Sequence, residues 1–130
     1  MQIGELARRS GLSVDTLRFY EKIGLIRPPA RDAGGRRDYG ADVLTWVAFL
    51  AQLNATGMKQ VDRIRYADLR HKGASTVSAR RQMLEDHRAA LIGRIADLQR
   101  SLLLMDQKIT DYRNQEARLG QKEAEDDGRT

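Results

Sequence analysis

Four cationic side chains in the first 40 residues have the types and spacing of a polyanion-binding surface. Arg18 and Lys22 lie four residues apart in a segment with helical apolar spacing, and Arg36 and Arg37 follow a Gly-Gly pair. Such side chains bind phosphate oxygens, and an arginine also forms two parallel hydrogen bonds with guanine. This pattern favours duplex nucleic acid as the ligand.

The charge is distributed unevenly along the chain. Residues 1–76 contain 13 Lys and Arg against 8 Asp and Glu, whereas residues 77–130 contain 10 of each, so the net charge of +5 lies in the first part. A basic head joined to a neutral second part suits a nucleic-acid-binding protein.

Catalytic and metal chemistry have little support in the composition. The absence of cysteine excludes disulfides, thiolate metal sites and cysteine nucleophiles, and there are two histidines, His71 and His87. No paired carboxylates, activated nucleophile or phosphate-binding loop occurs at useful spacing. We therefore expect no enzyme activity, metal site or cofactor.

Two short helices are predicted to position the first basic pair. Apolar residues at 3, 6 and 7 indicate a helix that ends at Gly11, and Ser13 is a good N-cap for a second helix of about ten residues. Helix, glycine-containing turn and helix are the sequence pattern of a helix-turn-helix.

The second helix of such a motif enters the major groove with its N-terminal residues toward the base edges. Arg18 is the principal candidate for contact with guanine or phosphate, while Tyr20 either donates its hydroxyl to a phosphate or fills the core. Ser13 is expected to act first as a cap. The candidate DNA-binding residues of this helix are Ser13, Val14, Asp15, Thr16, Arg18, Tyr20 and Lys22.

The second basic pair lies in a predicted wing. In residues 30–39, a Gly-Gly turn between short stretches indicates a small hairpin that carries Arg36 and Arg37. Two further helices, over 41–56 and about 60–72, complete a DNA-binding domain over residues 1–73. Four large side chains either fill the core or line a pocket for an apolar small-molecule effector: Trp46, Phe49, Tyr66 and Met83.

A long helix is predicted over residues 77–112, because apolar residues recur there in a heptad pattern. At 1.5 Å per residue it would be roughly 54 Å long. A second copy must cover its stripe, which predicts a homodimer. Residues 113–130 lack apolar content and are expected to be a disordered tail. The predicted dimerisation residues are Leu84, Leu91, Ile95, Leu98, Leu102, Met105, Ile109 and Tyr112.

Several motifs occur in one order along the first 70 residues. The sequence resembles the MerR family of transcriptional regulators, and within it the subgroup that responds to aldehyde and nitrosative stress. The motifs are Ile3-Gly4-Glu5-Leu6-Ala7, Gly11-Leu12-Ser13, the run from Thr16 to Ile26, Arg31, Gly35-Arg36-Arg37-Asp38-Tyr39 and Thr56-Gly57-Met58.

The resemblance implies phosphate contact by Arg37 and Tyr39. It also implies a dimer that bends and untwists promoter DNA so that RNA polymerase engages both promoter elements. Two departures from the family pattern limit which family properties can be carried over to this chain. Residues 74–76 and the tail hold no sensing cysteine, and Phe19 stands where many members have tyrosine.

We therefore expect an all-α fold, a winged helix-turn-helix head with a long C-terminal helix that dimerises as an antiparallel coiled coil. The expected function is a cytoplasmic, homodimeric transcriptional regulator on a pseudo-palindromic promoter operator, with no membrane partner. Two alternatives stay open: an architectural DNA-binding dimer with the same head, and a coiled-coil interaction protein with an incidental basic head.

Overall fold

The computed structural model describes residues 1–128, which form helices joined by short loops and contain no β-strand. The predicted helices are confirmed, with bounds that differ by one or two residues in the head. The elements are α1 (Ile3–Ser10), α2 (Val14–Lys22), α3 (Asp42–Ala55), α4 (Gln60–His71), a 3₁₀ turn (Ala74–Thr76) and α5 (Val77–Gly128). The chain divides into a first unit, residues 1–89, and a second unit from residue 90 onward.

The turn between α1 and α2 is built as the sequence predicts. Gly11 adopts φ 76°, and its N–H donates to the carbonyl of Ala7 at 3.0 Å, which ends α1. Ser13 caps α2, because its hydroxyl oxygen accepts a hydrogen bond from the Thr16 N–H at 3.0 Å. Together these caps fix where the recognition helix α2 begins.

The core of the first unit brings α1, α2, α3 and α4 together. The side chain of Trp46 anchors α3, since its indole N–H donates to the carbonyl of Leu25 at 2.8 Å. Burial of apolar side chains between these four short helices stabilises their packing. The buried cluster consists of Leu6, Leu17, Leu25, Ile26, Tyr39, Trp46, Val47, Leu50, Tyr66 and Ala67.

The beginning of α5 belongs to the first unit. Leu84 and Met83 are partly buried against the core cluster of that unit. Leu84 thus packs partly within its own chain, and its predicted part in the dimer stays a prediction. A heptad pattern cannot distinguish a neighbour in the same chain from a partner helix, because either one buries the same stripe.

The second unit is a single stretch of α5 in which no described residue is buried. The helix continues to Gly128, so the expected disordered tail is wrong for residues 113–128. Glu, Gln, Lys, Arg and Ala dominate this segment and are good helix formers, and no proline interrupts it. Residues 129–130 of the expected tail lie outside the described residues. Within residues 1–128, no helix is both long and apolar enough to cross a membrane.

Candidate nucleic-acid interface

The wing is a tight loop organised by Asp32. Its carboxylate accepts hydrogen bonds from the N–H groups of Gly34 at 2.9 Å and Arg36 at 3.0 Å. Gly35 adopts φ 77°, which lets the chain reverse, and Arg31 and Arg37 form an antiparallel bridge. The predicted hairpin is thus present as one bridged turn, with Arg36 exposed near its tip.

Glu21 connects the recognition helix to the wing. One of its oxygens accepts the hydrogen bond of the Tyr39 hydroxyl, and the other lies 3.4 Å from a guanidinium nitrogen of Arg37. The Glu21 side chain is nearly buried, whereas that of Arg37 remains 39% exposed. The carboxylate therefore positions a wing arginine beside α2 and leaves part of that arginine available to a further anion.

Tyr39 makes a tertiary contact that the sequence analysis does not predict. The side chain is buried, and burial followed by the hydrogen bond to Glu21 raises the pKa of its hydroxyl. Because the hydroxyl has one proton and gives it to Glu21, it has none to donate to a phosphate. In this structure Tyr39 supports the wing from inside, and phosphate contact by its side chain stays a prediction.

Cationic side chains from α2 and the wing surround one cleft. Arg18 and Lys22, both exposed on α2, line it together with Arg37, Pro28 and the carboxylate of Glu21. The cleft has a volume of about 320 Å³. Three cations around one carboxylate make a surface suited to the phosphate backbone of a nucleic acid.

The remaining candidates on α2 have different exposures. Asp15 is exposed, and Ser13, also exposed, donates its hydroxyl proton to the hydroxyl of Thr16 at 2.9 Å. Val14 and Thr16 are partly buried, and Tyr20 is partly buried against the core cluster. The interpretation of Tyr20 as a core residue thus has structural support, while DNA contact by these residues remains a prediction.

Three features of this surface were missed by the sequence analysis. Glu21 joins two of the predicted residues, Asp32 shapes the wing, and Phe19 is 47% exposed on α2. The signal for Glu21 was its place between Arg18 and Lys22, where a lone carboxylate in a basic segment indicates an internal ion pair. An exposed phenylalanine on a recognition helix has the chemistry to contact a thymine methyl group.

The predicted effector residues line two different clefts. Trp46, Phe49 and Tyr66 form one aromatic cluster, with ring centroids 5.8 to 6.2 Å apart. Met83 lines a different cleft, with Met58 and His87, and is partly buried against the core cluster that contains Trp46 and Tyr66. The cleft lined by the three aromatic side chains does not include Met83, and an effector pocket shared by all four side chains stays a prediction.

The helices α1 and α2 and the adjacent wing thus have the arrangement and the cationic surface of a winged helix-turn-helix. Residues 2–39 match the family model described as MerR family regulatory protein. A curated relative is the helix-turn-helix-type transcriptional regulator AdhR of Bacillus subtilis, 38% identical over 92 residues that cover 71% of this chain and 66% of AdhR.

Two solved structures are similar over most of the chain. A protein of Listeria monocytogenes assigned to the MerR family has a TM-score of 0.79 at 38% identity, with 86% of this chain and 85% of that chain covered. HiNmlR, described as a MerR family regulator lacking the sensor domain and bound to promoter DNA, has a TM-score of 0.77 at 33% identity, with 89% and 92% covered. This chain belongs to the MerR family of DNA-binding transcriptional regulators.

Proposed function

We propose that this regulator binds a pseudo-palindromic promoter operator as a homodimer. The observation that carries the proposal is the cleft in which Arg18 and Lys22 of α2 meet Arg37 of the wing. A helix and a wing that present cations together are placed to contact a major groove and the adjacent backbone.

The recognition helix is held firmly enough to read bases. Ser13 caps its N-terminus, Leu17 is buried beneath it, and Glu21 ties its far end to the wing. Arg18 then extends from a helix whose backbone is fixed, and the planar guanidinium group has the geometry to form two hydrogen bonds with guanine. We assign base or phosphate contact to Arg18 and phosphate contact to Lys22, Arg36 and Arg37.

The dimer is proposed from the exposed stripe on the second unit. The stripe is apolar, and about half or more of each of its large side chains is exposed, except for Leu91, which is partly buried. Stripes of this kind in a heptad pattern are buried by a second helix, and we propose an antiparallel coiled coil for the pair. Leu119 continues the same heptad beyond the predicted end of the seam. The stripe consists of Leu91, Ile95, Leu98, Leu102, Met105, Ile109, Tyr112 and Leu119.

The proposed action at the promoter is distortion of the DNA. A solved MerR-family relative is described as bound to promoter DNA. We propose that the dimer bends and untwists a promoter so that RNA polymerase engages both promoter elements, with the deformation energy offset by protein contacts. We further propose that a small organic molecule controls this action.

The experiment is selection of bound genomic fragments by the purified full chain, followed by footprinting. We expect a discrete footprint with two-fold symmetry and changed transcription of the adjacent genes. Uniform protection of any duplex would contradict the proposal, since an architectural protein gives that pattern.

A variant pair tests the surface that carries the proposal. Arg18→Ala should weaken operator binding about tenfold or more, because a good arginine contact to a base contributes roughly 1–3 kcal/mol. Arg65→Ala is the matched control, since it removes an exposed arginine of α4 that lies outside this cleft. Equal operator affinities of the two variants in fluorescence anisotropy would remove Arg18 from the interface.

A further inference from the structure

A second cleft of the first unit combines aromatic and cationic groups. It lies among α3, α4 and the beginning of α5 and has a volume of about 380 Å³. Volumes of this size are typical of sites for small organic ligands. The lining includes Trp46, Phe49 and Tyr66 as well as Arg70, Arg80 and Asp42.

The aromatic side chains give this cleft an apolar side. The rings of Trp46 and Tyr66 are inclined by 15° with centroids 5.9 Å apart, and Phe49 lies 5.8 Å from Tyr66. Phe49 is the most accessible of the three rings, since the other two are buried. A flat ring placed in the cleft would pack against Phe49 and the edges of the other two rings.

Two arginines supply fixed positive charge. The guanidinium of Arg70 lies 4.2 Å from the centre of the Trp46 ring. That of Arg80 donates to the Thr76 hydroxyl at 3.1 Å and to the Gly73 carbonyl at 3.2 Å. Within residues 1–128 no carboxylate forms an ion pair with either arginine. Both guanidinium groups therefore retain donors for an anion that enters the cleft.

We propose that this cleft binds a flat aromatic carboxylate, with the ring against Phe49 and the carboxylate between Arg70 and Arg80. Charge-assisted hydrogen bonds from positioned arginines are stronger than neutral ones, and the ring buries apolar area at the same time. Asp42 opposes an anion, but the two arginines outweigh it. A regulatory role for this ligand rests on the proposed function. Binding of the ligand itself needs no DNA.

The chain provides its own reporter of this site. Trp46 is the single tryptophan, so its indole N–H gives one resonance in the proton–nitrogen correlation spectrum. The full chain is titrated with 2-naphthoate and with 2-naphthalenemethanol, which has the same ring and no charge. We expect saturable movement of the Trp46 signal with the carboxylate and at least about tenfold weaker binding of the alcohol. Equal affinities of the two compounds, or no movement, would overturn the proposal.

Substitutions of the charged side chains test which of them bind the carboxylate of 2-naphthoate. Arg70→Met keeps an apolar contact with Trp46 but removes the guanidinium, and we expect about tenfold weaker 2-naphthoate binding. Arg80→Met should weaken it similarly. Asp42→Asn should tighten it about two- to fivefold, because a like charge is removed. Arg81→Met is the control, since Arg81 pairs with Glu85 at 2.9 Å and does not line the cleft. Unchanged affinity in Arg70→Met or Asp42→Asn would contradict the assignment.

A parallel measurement separates this site from the DNA surface. Arg18→Ala should keep its 2-naphthoate affinity while losing operator binding, and Arg70→Met should keep operator binding in the absence of ligand. If the unsubstituted chain bound 2-naphthoate but no operator, the proposed function would be wrong and the ligand site would stand. Loss of 2-naphthoate binding in Arg18→Ala would contradict the independence of the two sites.

Discussion

The two units of this chain treat their apolar side chains in opposite ways. In the first unit Leu6, Leu17 and Leu50 have exposed fractions of 0 to 1%, whereas in the second Leu98 and Leu102 are 63% and 59% exposed. The first unit thus buries its core leucines within one chain. Among residues 90–128, no apolar side chain is buried in this way.

This difference in burial implies that the two units are stabilised in different ways. The first unit has the core and caps of an independently stable domain, whereas an isolated helix gains most of its stability from packing on something else. We therefore expect the first unit to depend on its own interior and the second to depend on protein concentration.

Leu102→Asp should dissociate the proposed dimer. Each protomer loses a leucine contact of roughly 1.5–3 kcal/mol, and because a two-fold interface counts the loss twice, the dimer dissociation constant should rise ~100-fold or more. Sedimentation velocity over a concentration series measures the change. Operator affinity should fall with it, since one head alone contacts half of the site.

The control for this variant lies on the other side of the same helix. Gln107→Asp introduces the same charge five residues away, where helical geometry turns the side chain from the stripe. It should leave the dimer intact. In monomeric Leu102→Asp, the Trp46 environment of the first unit should stay native. Simultaneous loss of dimer and native Trp46 signal would mean that the two units are not independent.

Leu50→Ala should destabilise the first unit directly. Leu50 is fully buried, and truncation of a buried leucine costs about 2–5 kcal/mol through lost burial and the cavity left behind. Urea unfolding followed by Trp46 fluorescence measures the loss. Leu98→Ala, made on an exposed leucine of the second unit, should change this transition little when the protein is dilute enough to be monomeric. A larger loss of stability from Leu98→Ala than from Leu50→Ala would contradict the proposed difference between the two units.

Much of the first unit was predictable because its signals are local. Gly11 and Ser13 determine a helix end and the next helix start through the backbone geometry of neighbouring residues. The basic residues of the candidate interface were likewise predictable, since Arg18 and Lys22 lie on one predicted helix. Periodicity and capping act over a few residues, and that is the range a single sequence reports.

The contacts that the sequence does not report join segments distant in sequence. The hydroxyl of Tyr39 donates to Glu21, eighteen residues earlier. Leu84 fits the heptad, yet it also packs against the core of the first unit, as Met83 does. These contacts are tertiary, so no local pattern reports them.

Ser13→Ala should weaken the first unit by a smaller amount, about 1 kcal/mol, because the N-cap hydrogen bond to Thr16 is lost. Thermal or urea unfolding measures it. Ser101→Ala is the contrasting change in the second unit, where an exposed helix interior favours alanine by a few tenths of a kcal/mol. Changes of opposite sign in the free energy of unfolding would support the difference between the two units. Equal destabilisation by the two substitutions would count against it.

His71 should give the first unit a pH-dependent stability. Burial lowers the pKa of His71, and the nearby charges of Arg27 and Arg70 add to the effect. Its Nε2 is buried and has no hydrogen-bond partner within the described residues. As the pH falls below the usual histidine pKa of about 6.5, the unfolded chain takes up a proton more readily than the folded one. The free energy of unfolding should therefore be greater at pH 7.5 than at pH 5.5.

In His71→Gln this difference in the free energy of unfolding should shrink, whatever the stability of the variant at pH 7.5. An unchanged difference would assign the pH dependence to other groups, and since the second unit contains no histidine, they too would have to lie among residues 1–89 or be carboxylates.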